Sequence, residues 1–278
     1  MMSPRLPIVI AVLVFAALIA QPAAAQSAED AATRTVVQVG GYPFPPFVDS
    51  NAPTGGVTRA LIQEMNAVQD RYTFRFRLTS ARRRYRDFRR GDIDMMLFEM
   101  PSWGWIERDI ALKVVRPFLT GGEIYVARAE DADEPEYFQN LERHTIAGHI
   151  GYHYRFADME AEPDRLRQRF DIRLTGSHRK NIRKVLDREA DVAVVTESFL
   201  RMFLRQHPKL SQRVRIANRP DQRYRMGAII RPEAPVTAEA VRKILKKLHD
   251  RDRLSFVLAR FGMADQLIPW WLRGVGNG

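Results

Sequence analysis

The chain has 278 residues, a formal net charge of +11 and no cysteine. The absence of thiols excludes disulfides, thiolate metal sites and a lipoprotein anchor, so an apolar core must stabilise the fold. A chain of this length holds one large domain or two smaller ones.

The N-terminus predicts an export signal. Arg5 precedes an apolar stretch over residues 6–20, and residues 22–26 read Pro-Ala-Ala-Ala-Gln, a small-residue cleavage site. The apolar stretch is too short for a membrane span, which needs about 20 residues. We therefore expect cleavage of residues 1–25 after Ala25 and a periplasmic protein with no stable membrane insertion. Export also argues against a nucleic-acid partner for the basic segments near residues 82–90 and 179–184.

Directly after the first predicted strand, residues 41–48 read Gly-Tyr-Pro-Phe-Pro-Pro-Phe-Val. Proline fixes φ and removes a hydrogen-bond donor, so the segment must turn and hold Tyr42, Phe44 and Phe47 on a stiff loop. Such a loop is either one wall of a ligand cleft or a cap over the core.

Strands and helices alternate along the mature chain. The first half predicts strand 35–39, helix 58–66, strand 72–78, a basic helix with Tyr85 and Phe88, and strand 93–98. The second half predicts strand 145–147, a helix near 154–160, strand 171–174, helix 179–188 and strand 192–195. Residues 123–128 and 225–230 are expected to be extended connections, and residues 236–249 and 254–261 to be helices. This order predicts an α/β fold.

A local repeat indicates two similar lobes. Residues 89–99 and 188–197 each show a basic helix end, an acidic turn and an apolar strand that ends in a carboxylate. The alternative is that any two α/β units share such a pattern. We predict a discontinuous first lobe of residues 34–124 and 226–278, a second lobe of residues 125–225, and a crevice at the strand ends between them.

Together these segments resemble the periplasmic solute-binding proteins of the amino-acid type (bacterial extracellular solute-binding protein family 3), which serve ABC importers. The matching pieces follow the family's order: residues 42–49, Gly55-Gly56, residues 89–94, Glu107-Arg108, Arg116-Pro117-Phe118, residues 190–195 and Arg260-Phe261-Gly262. The resemblance implies a type II periplasmic binding fold, in which two α/β lobes joined by a two-strand hinge close over a small solute. It also implies an inner-membrane permease as partner, and we expect a monomer.

The resemblance assigns roles to single residues unevenly. Phe44 matches an aromatic that covers the ligand, and Arg108 lies near the arginine that grips a ligand carboxylate with a bidentate fork. A surface arginine at a helix start is the alternative for Arg108. Amino-acid binders commonly end the second-lobe strand with an aspartate, where this chain has Thr196 followed by Glu197. Glu99 ends the corresponding first-lobe strand. For each of Glu99 and Glu197 there are two interpretations: the carboxylate pairs with a solute cation, or it is a helix N-terminal acid.

The predicted ligand-binding residues combine aromatic rings with a few polar groups. This mixture favours a cationic or ring-bearing solute through cation–π contact. Residues 151–154 are expected to begin a helix whose amide groups would receive an anionic group. The full set is Tyr42, Phe44, Phe47, Phe98, Glu99, Ser102, Trp103, Arg108, Tyr152, His153, Thr196 and Glu197.

No motif supports catalysis or a cofactor. The six histidines show no metal-binding spacing, and neither a GxSxG motif nor a phosphate loop is present. The sequence thus favours capture of an amino acid or related compound for an importer. Two alternatives stay open: a binding or sensing module that acts on a membrane receptor or periplasmic enzyme, and a dehydratase-type enzyme on the same fold.

Overall fold

The computed structural model describes residues 34–49, 54–132 and 135–268. The predicted signal peptide and its cleavage site lie outside the described residues. Within these ranges, no helix combines the length and the apolar character that crossing a membrane requires.

The first lobe is built on a βαβαβ unit, as the alternating pattern predicts. Its elements are β1 (Thr35–Gly41), α1 (Val57–Ala67), β2 (Tyr72–Leu78), α2 (Arg84–Arg89) and β3 (Met95–Glu99). Strand β1 pairs in parallel with both β2 and β3. Leu61 and Met65 of α1 are fully buried, since residues four apart lie on one face of a helix. Strand β4 (Lys113–Arg128) then leaves this lobe.

The second lobe repeats the architecture on a smaller scale. It contains β5 (Ile146–His149), α3 (Pro163–Arg169), β6 (Ile172–Thr175), α4 (His178–Leu186), β7 (Val192–Thr196) and α5 (Glu197–Gln206). Strand β5 pairs in parallel with β6 and β7. A separate apolar core forms between α4, α5 and the sheet, around Ile182, Val185 and Phe199.

Two long antiparallel strands run through both lobes. Strand β4 and the returning β8 (Val214–Ile230) pair beside β3 at one end and beside β7 at the other. The sheet order is β2-β1-β3-β8-β4-β7-β5-β6. The connections predicted at 123–128 and 225–230 are therefore parts of longer strands. After β8, α6 (Ala238–Asp250) and α7 (Arg253–Arg260) contact α1.

Three parts of the second lobe differ from the sequence prediction, and one of them is helix α3 (Pro163–Arg169), which was not predicted. The helix expected near residues 154–160 is a single 3-10 turn, Arg155–Ala157, because Asp158 and Met159 both have positive φ and Tyr154 pairs back to Glu160. No helix therefore begins at residues 151–154, and the amide site predicted there is wrong in that respect. Helix α5 was not predicted, because it follows β7 without any turn residue between them.

Candidate functional site

Side chains from both lobes and both crossing strands converge on a small cavity, and we call this group the central cluster. The cavity has a volume of about 10 Å³, which is room for about one water molecule. Five rings and three polar side chains line it: Tyr42, Phe44, Trp103, Tyr152 and Tyr224, with Glu123, His153 and Gln222.

Phe44 is the centre of the aromatic part of the cluster. Its ring lies nearly perpendicular to Trp103 and Tyr152, with centroids 5.7 Å and 5.4 Å apart, and 6.0 Å from Tyr224. Such edge-to-face contacts are favourable for aromatic pairs. The stiff loop holds the ring there, since Phe44 and Val48 exchange two main-chain hydrogen bonds. At Phe44, the proline-rich loop forms a wall between the lobes.

Glu123 is the carboxyl group of the central cluster and is 1% exposed. Its side chain accepts hydrogen bonds from Gln222 Nε2, at 3.3 Å, and from the Tyr224 hydroxyl. Burial raises the pKa of Glu123 well above its usual value, and the nearby Asp221 raises that pKa further. No lysine or arginine of the described residues forms an ion pair with Glu123. The protonated form of Glu123 is therefore favoured relative to a solvent-exposed glutamate, and aromatic rings surround the group.

Gln222 connects the two lobes through this cluster. Its Oε1 accepts a hydrogen bond from Trp103 Nε1 of the first lobe at 3.2 Å, and its Nε2 donates to the His153 carbonyl of the second. His153 itself is a neutral group. Burial and, to a lesser extent, the charges of Arg84 and Arg108 lower the pKa of His153 to about 3. At this cluster, neutral polar groups therefore make the contact between the lobes.

Glu99, one of the two predicted cation partners, lies behind Tyr42 within the first lobe. A bulge in the pairing of β3 with β8 places Phe98 at φ 59°, and such bulges re-aim the neighbouring side chains. Trp105 Nε1 donates to Glu99 Oε2 at 2.9 Å, and Arg84 Nε lies 3.5 Å from Oε1. Both members of the ion pair are 1% exposed. The charge of Glu99 is therefore compensated within the protein.

Arg108 lies on the surface beside the cluster. Its guanidinium stacks 4.3 Å from the centroid of Tyr85, and its Nη1 donates to the Gly104 carbonyl at 3.1 Å. The side chain is exposed and does not line the cavity. This placement fits the surface alternative better than the anchor that the resemblance implies. Ser102 is exposed as well.

The second-lobe strand end carries Thr196 and Glu197 in different environments. Thr196 is buried, and its Oγ1 lies 2.9 Å from His178 Nε2, which also contacts the Tyr152 hydroxyl at 3.3 Å. Glu197 lies in the first turn of α5 and pairs with Arg201 at 2.9 Å. Thr196 therefore supports the cluster from behind, whereas Glu197 has the position of a helix N-terminal acid.

The structure brings five of the twelve predicted residues to the cavity, namely Tyr42, Phe44, Trp103, Tyr152 and His153. Phe47 and Phe98 contact each other in the first-lobe core, with ring centroids 4.8 Å apart. The prediction of their direct solute contact is not supported by this geometry. As described above, Glu99 and Thr196 lie behind the cluster, while Ser102, Arg108 and Glu197 lie outside it.

Sequence reasoning missed the three members contributed by the crossing strands: Glu123, Gln222 and Tyr224. One signal was present, because Gly121 and Gly122 directly precede Glu123 and glycine in a strand often marks a close backbone approach. A Cβ on Gly122 would lie 2.7 Å from the Gln222 carbonyl oxygen. The glycine therefore lets β4 and β8 approach closely where the cluster forms.

Comparison with known proteins places the chain among periplasmic binding folds. Residues 140–269, just under half of the chain, match the family model of the phosphonate-specific periplasmic substrate-binding protein of ABC transporters. No curated protein matches the sequence.

Solved structures resemble the whole described fold. A protein solved with bound L-arginine has 13% identity and a TM-score of 0.66 over 87% of this chain and 96% of that one. An ancestral amino-acid-binding protein, a precursor of cyclohexadienyl dehydratase, has 17% identity and a TM-score of 0.62 over 84% and 99%. A histidine kinase sensor domain similar to periplasmic binding proteins has 18% identity and a TM-score of 0.61 over 82% and 96%. These likenesses confirm the predicted fold, two α/β lobes of the type II periplasmic binding kind.

Proposed function

We propose that the protein binds a small cationic or zwitterionic solute, such as an amino acid or a related amine, between its lobes. The observation that carries the proposal is Glu123, a buried carboxyl group with no cationic partner among the described residues, set among aromatic rings. The proposed first lobe comprises residues 34–124 and 226–278, and the second comprises residues 125–225.

Glu123 and the rings complement a cation in two ways. An ammonium group beside the carboxyl favours its ionised form, so the solute charge would oppose the effect of burial, which favours the protonated form. The faces of aromatic rings also attract cations, by about 2 kcal/mol or more where water is excluded. Tyr42, Phe44, Trp103, Tyr152 and Tyr224 supply these faces from both lobes and from β8.

Admission of the solute requires the lobes to separate. The cavity of about 10 Å³ is far smaller than the pockets of about 300 Å³ or more that hold small ligands. A solute that contacts Phe44 on one lobe and Tyr152 on the other would favour the closed arrangement, because it gains both sets of contacts only there.

We assign solute binding by this protein a role in transport. The export signal predicted at residues 1–25 and the match to an ABC-transporter binding family support a periplasmic protein that delivers its solute to an inner-membrane permease. The likeness to a histidine kinase sensor domain favours signalling as the second candidate. Uptake of the identified solute by cells lacking this gene separates the two, since a transport role predicts lost uptake and a signalling role does not.

The binding proposal is tested with a panel of solutes and with one substitution that keeps the shape of the side chain. Amino acids, polyamines, betaines and organic acids are screened by thermal shift, because a ligand that binds the folded state raises the melting temperature. Calorimetry on the best ligand is then repeated with Glu123→Gln, which keeps the shape and removes the ionisable group. We expect at least a tenfold loss of affinity, since hydrogen bonds to a charged group contribute about 1.5–3 kcal/mol.

The matched control is Glu197→Gln, which removes a carboxylate that pairs with Arg201 outside the cavity. Its affinity should stay within threefold of the parent protein. A best ligand that is an anionic acid, or a cation that binds Glu123→Gln as tightly as the parent, would contradict the proposal.

A further inference from the structure

The central cluster offers a solute more ring surface than polar groups, and the hydroxyls of its tyrosines already have partners within the protein. Five rings and three polar side chains line the central cavity. The hydroxyls of Tyr42 and Tyr224 donate to Glu99 and Glu123, and that of Tyr152 contacts a histidine of the second lobe at 3.3 Å. What these tyrosines still offer a solute is therefore chiefly their rings.

Two polar side chains of the lining are engaged with their neighbours as well. Gln222 accepts a hydrogen bond from Trp103 and donates to the His153 carbonyl and to Glu123. A primary ammonium group carries three N–H donors, and a buried donor without an acceptor is costly. Such a group would have to displace the existing hydrogen bonds, whereas a fully alkylated nitrogen has no N–H group and needs no acceptor.

The cavity also lacks a receptor for a solute carboxylate. No lysine or arginine of residues 34–49, 54–132 and 135–268 lines it. Arg84 lies behind Tyr42, with Cζ 4.5 Å from the ring centroid, and pairs with Glu99. Arg108 is exposed and does not line the cavity. A zwitterion would therefore place its carboxylate beside Glu123 without a counter-charge, and burying an unpaired charge is strongly unfavourable.

We propose that the solute of the central cluster is an organic cation with a fully alkylated nitrogen and no carboxylate, such as choline. This inference rests on the solute binding proposed above and narrows the chemistry of that solute. The ring faces contact the alkyl groups of the charged nitrogen, as in aromatic cages for quaternary ammonium ligands. Glu123 supplies the counter-charge, and the hydrogen bonds among the cluster residues stay in place.

The test is calorimetry with choline and three relatives that each change one property. Ethanolamine replaces the methyl groups on nitrogen by hydrogen atoms. The alcohol 3,3-dimethylbutan-1-ol keeps the shape of choline but has carbon in place of the charged nitrogen. Glycine betaine keeps the methylated nitrogen and carries a carboxylate in place of the alcohol group. We expect choline to bind at least tenfold more tightly than each of the three.

A pair of variants tests the contribution of the rings. Phe44→Leu removes the ring at the centre of the cluster and keeps an apolar side chain, so choline affinity should fall at least tenfold. The matched control is Phe256→Leu on α7, where the ring is 58% exposed and outside the cavity. Its choline affinity should stay within threefold of the parent protein. Melting temperatures show that each variant is folded, and the comparison of the four compounds needs no variant.

The outcomes separate this inference from the proposed function. Tighter binding of ethanolamine or of an amino acid than of choline, lost in Glu123→Gln, would overturn the inference and leave the proposed function standing. Glycine betaine that binds as tightly as choline, or an unchanged choline affinity in Phe44→Leu, would also overturn the inference. Equal binding of the uncharged alcohol, or no binding of any cation in the panel, would overturn both.

Discussion

Glu99 and Glu123 are two glutamates with the same burial and opposite electrostatic environments. Each is 1% exposed and lies close to the point where the lobes meet. Glu99 lies within the first lobe beside Arg84, so burial raises its pKa while a fixed positive charge opposes that effect. Glu123 lies on a crossing strand where Asp221 adds to the effect of burial. The comparison teaches that burial alone does not distinguish these two carboxyl groups, whereas the presence or absence of a counter-charge does.

The largest effect is expected from breaking the compensated pair. Arg84→Met keeps much of the side-chain volume but leaves Glu99 buried without its cation. We expect a loss of about 3–5 kcal/mol in the free energy of unfolding, measured by urea denaturation at pH 7. The double variant Arg84→Met/Glu99→Gln should recover part of that loss. A loss below about 1 kcal/mol in the single variant would show that the pair does not matter for stability.

Glu123, which has no counter-charge, should couple solute binding to the release of a proton. Below the raised pKa of free Glu123, a bound cation must expel the carboxyl proton. Affinity should therefore rise with pH by up to tenfold per unit and level off above that pKa. Calorimetry in two buffers with different ionisation enthalpies would measure the proton released on binding. Binding without proton release at pH 5–7 would argue against contact between the cation and Glu123.

Glu123 should also make the free energy of unfolding depend on pH. Stability should fall as pH rises, whereas solute affinity should increase. The unfolded chain ionises Glu123 above about pH 4.5 while the folded protein keeps its proton, so the parent loses stability as pH rises. Glu123→Gln removes this dependence, so its stability relative to the parent should rise as pH rises from 4.5 to 7, by up to about 1.4 kcal/mol per pH unit below the pKa of folded Glu123. Melting curves at these two pH values test it, and a variant whose stability relative to the parent does not rise between them would contradict it.

The smallest effect is expected at Arg108. This side chain is exposed and rests on Tyr85, so Arg108→Ala should change stability by no more than about 0.5 kcal/mol. Solute affinity should change less than threefold. A loss beyond tenfold would instead show that Arg108 turns inward and acts as the carboxylate anchor that the family resemblance implies.

The sequence was informative where local pattern decides structure. Strand β2 has the predicted bounds, and α1 differs by one residue at each end, because alternating and i, i+4 apolar spacing report directly on burial. Phe44 was found because prolines make its loop stiff. The turn at Asp158 and Met159 was missed, since positive φ in residues other than glycine leaves no clear sequence signal.

The cluster was harder to predict because its members come from distant parts of the chain. Trp103 and Gln222 are 119 residues apart and form a hydrogen bond through the packing of the lobes, which no local spacing specifies. The electrostatic environments of Glu99 and Glu123 were equally hard to predict from the sequence. Glu99 ends a strand in the expected place, but a bulge at Phe98 and the distant side chain of Arg84 decide where its charge is compensated.

The small volume of the central cavity has a kinetic consequence. Phe44, Trp103, Tyr152 and Tyr224 fill the space that a solute would occupy, so capture must wait for the rings to part. Separation of the rings is then a first-order step that precedes binding of the solute. The observed association rate should level off at high solute concentration instead of increasing in proportion to it. Ring packing would therefore set a ceiling on capture speed that is the same for every solute, while affinity differences appear in the rate of release.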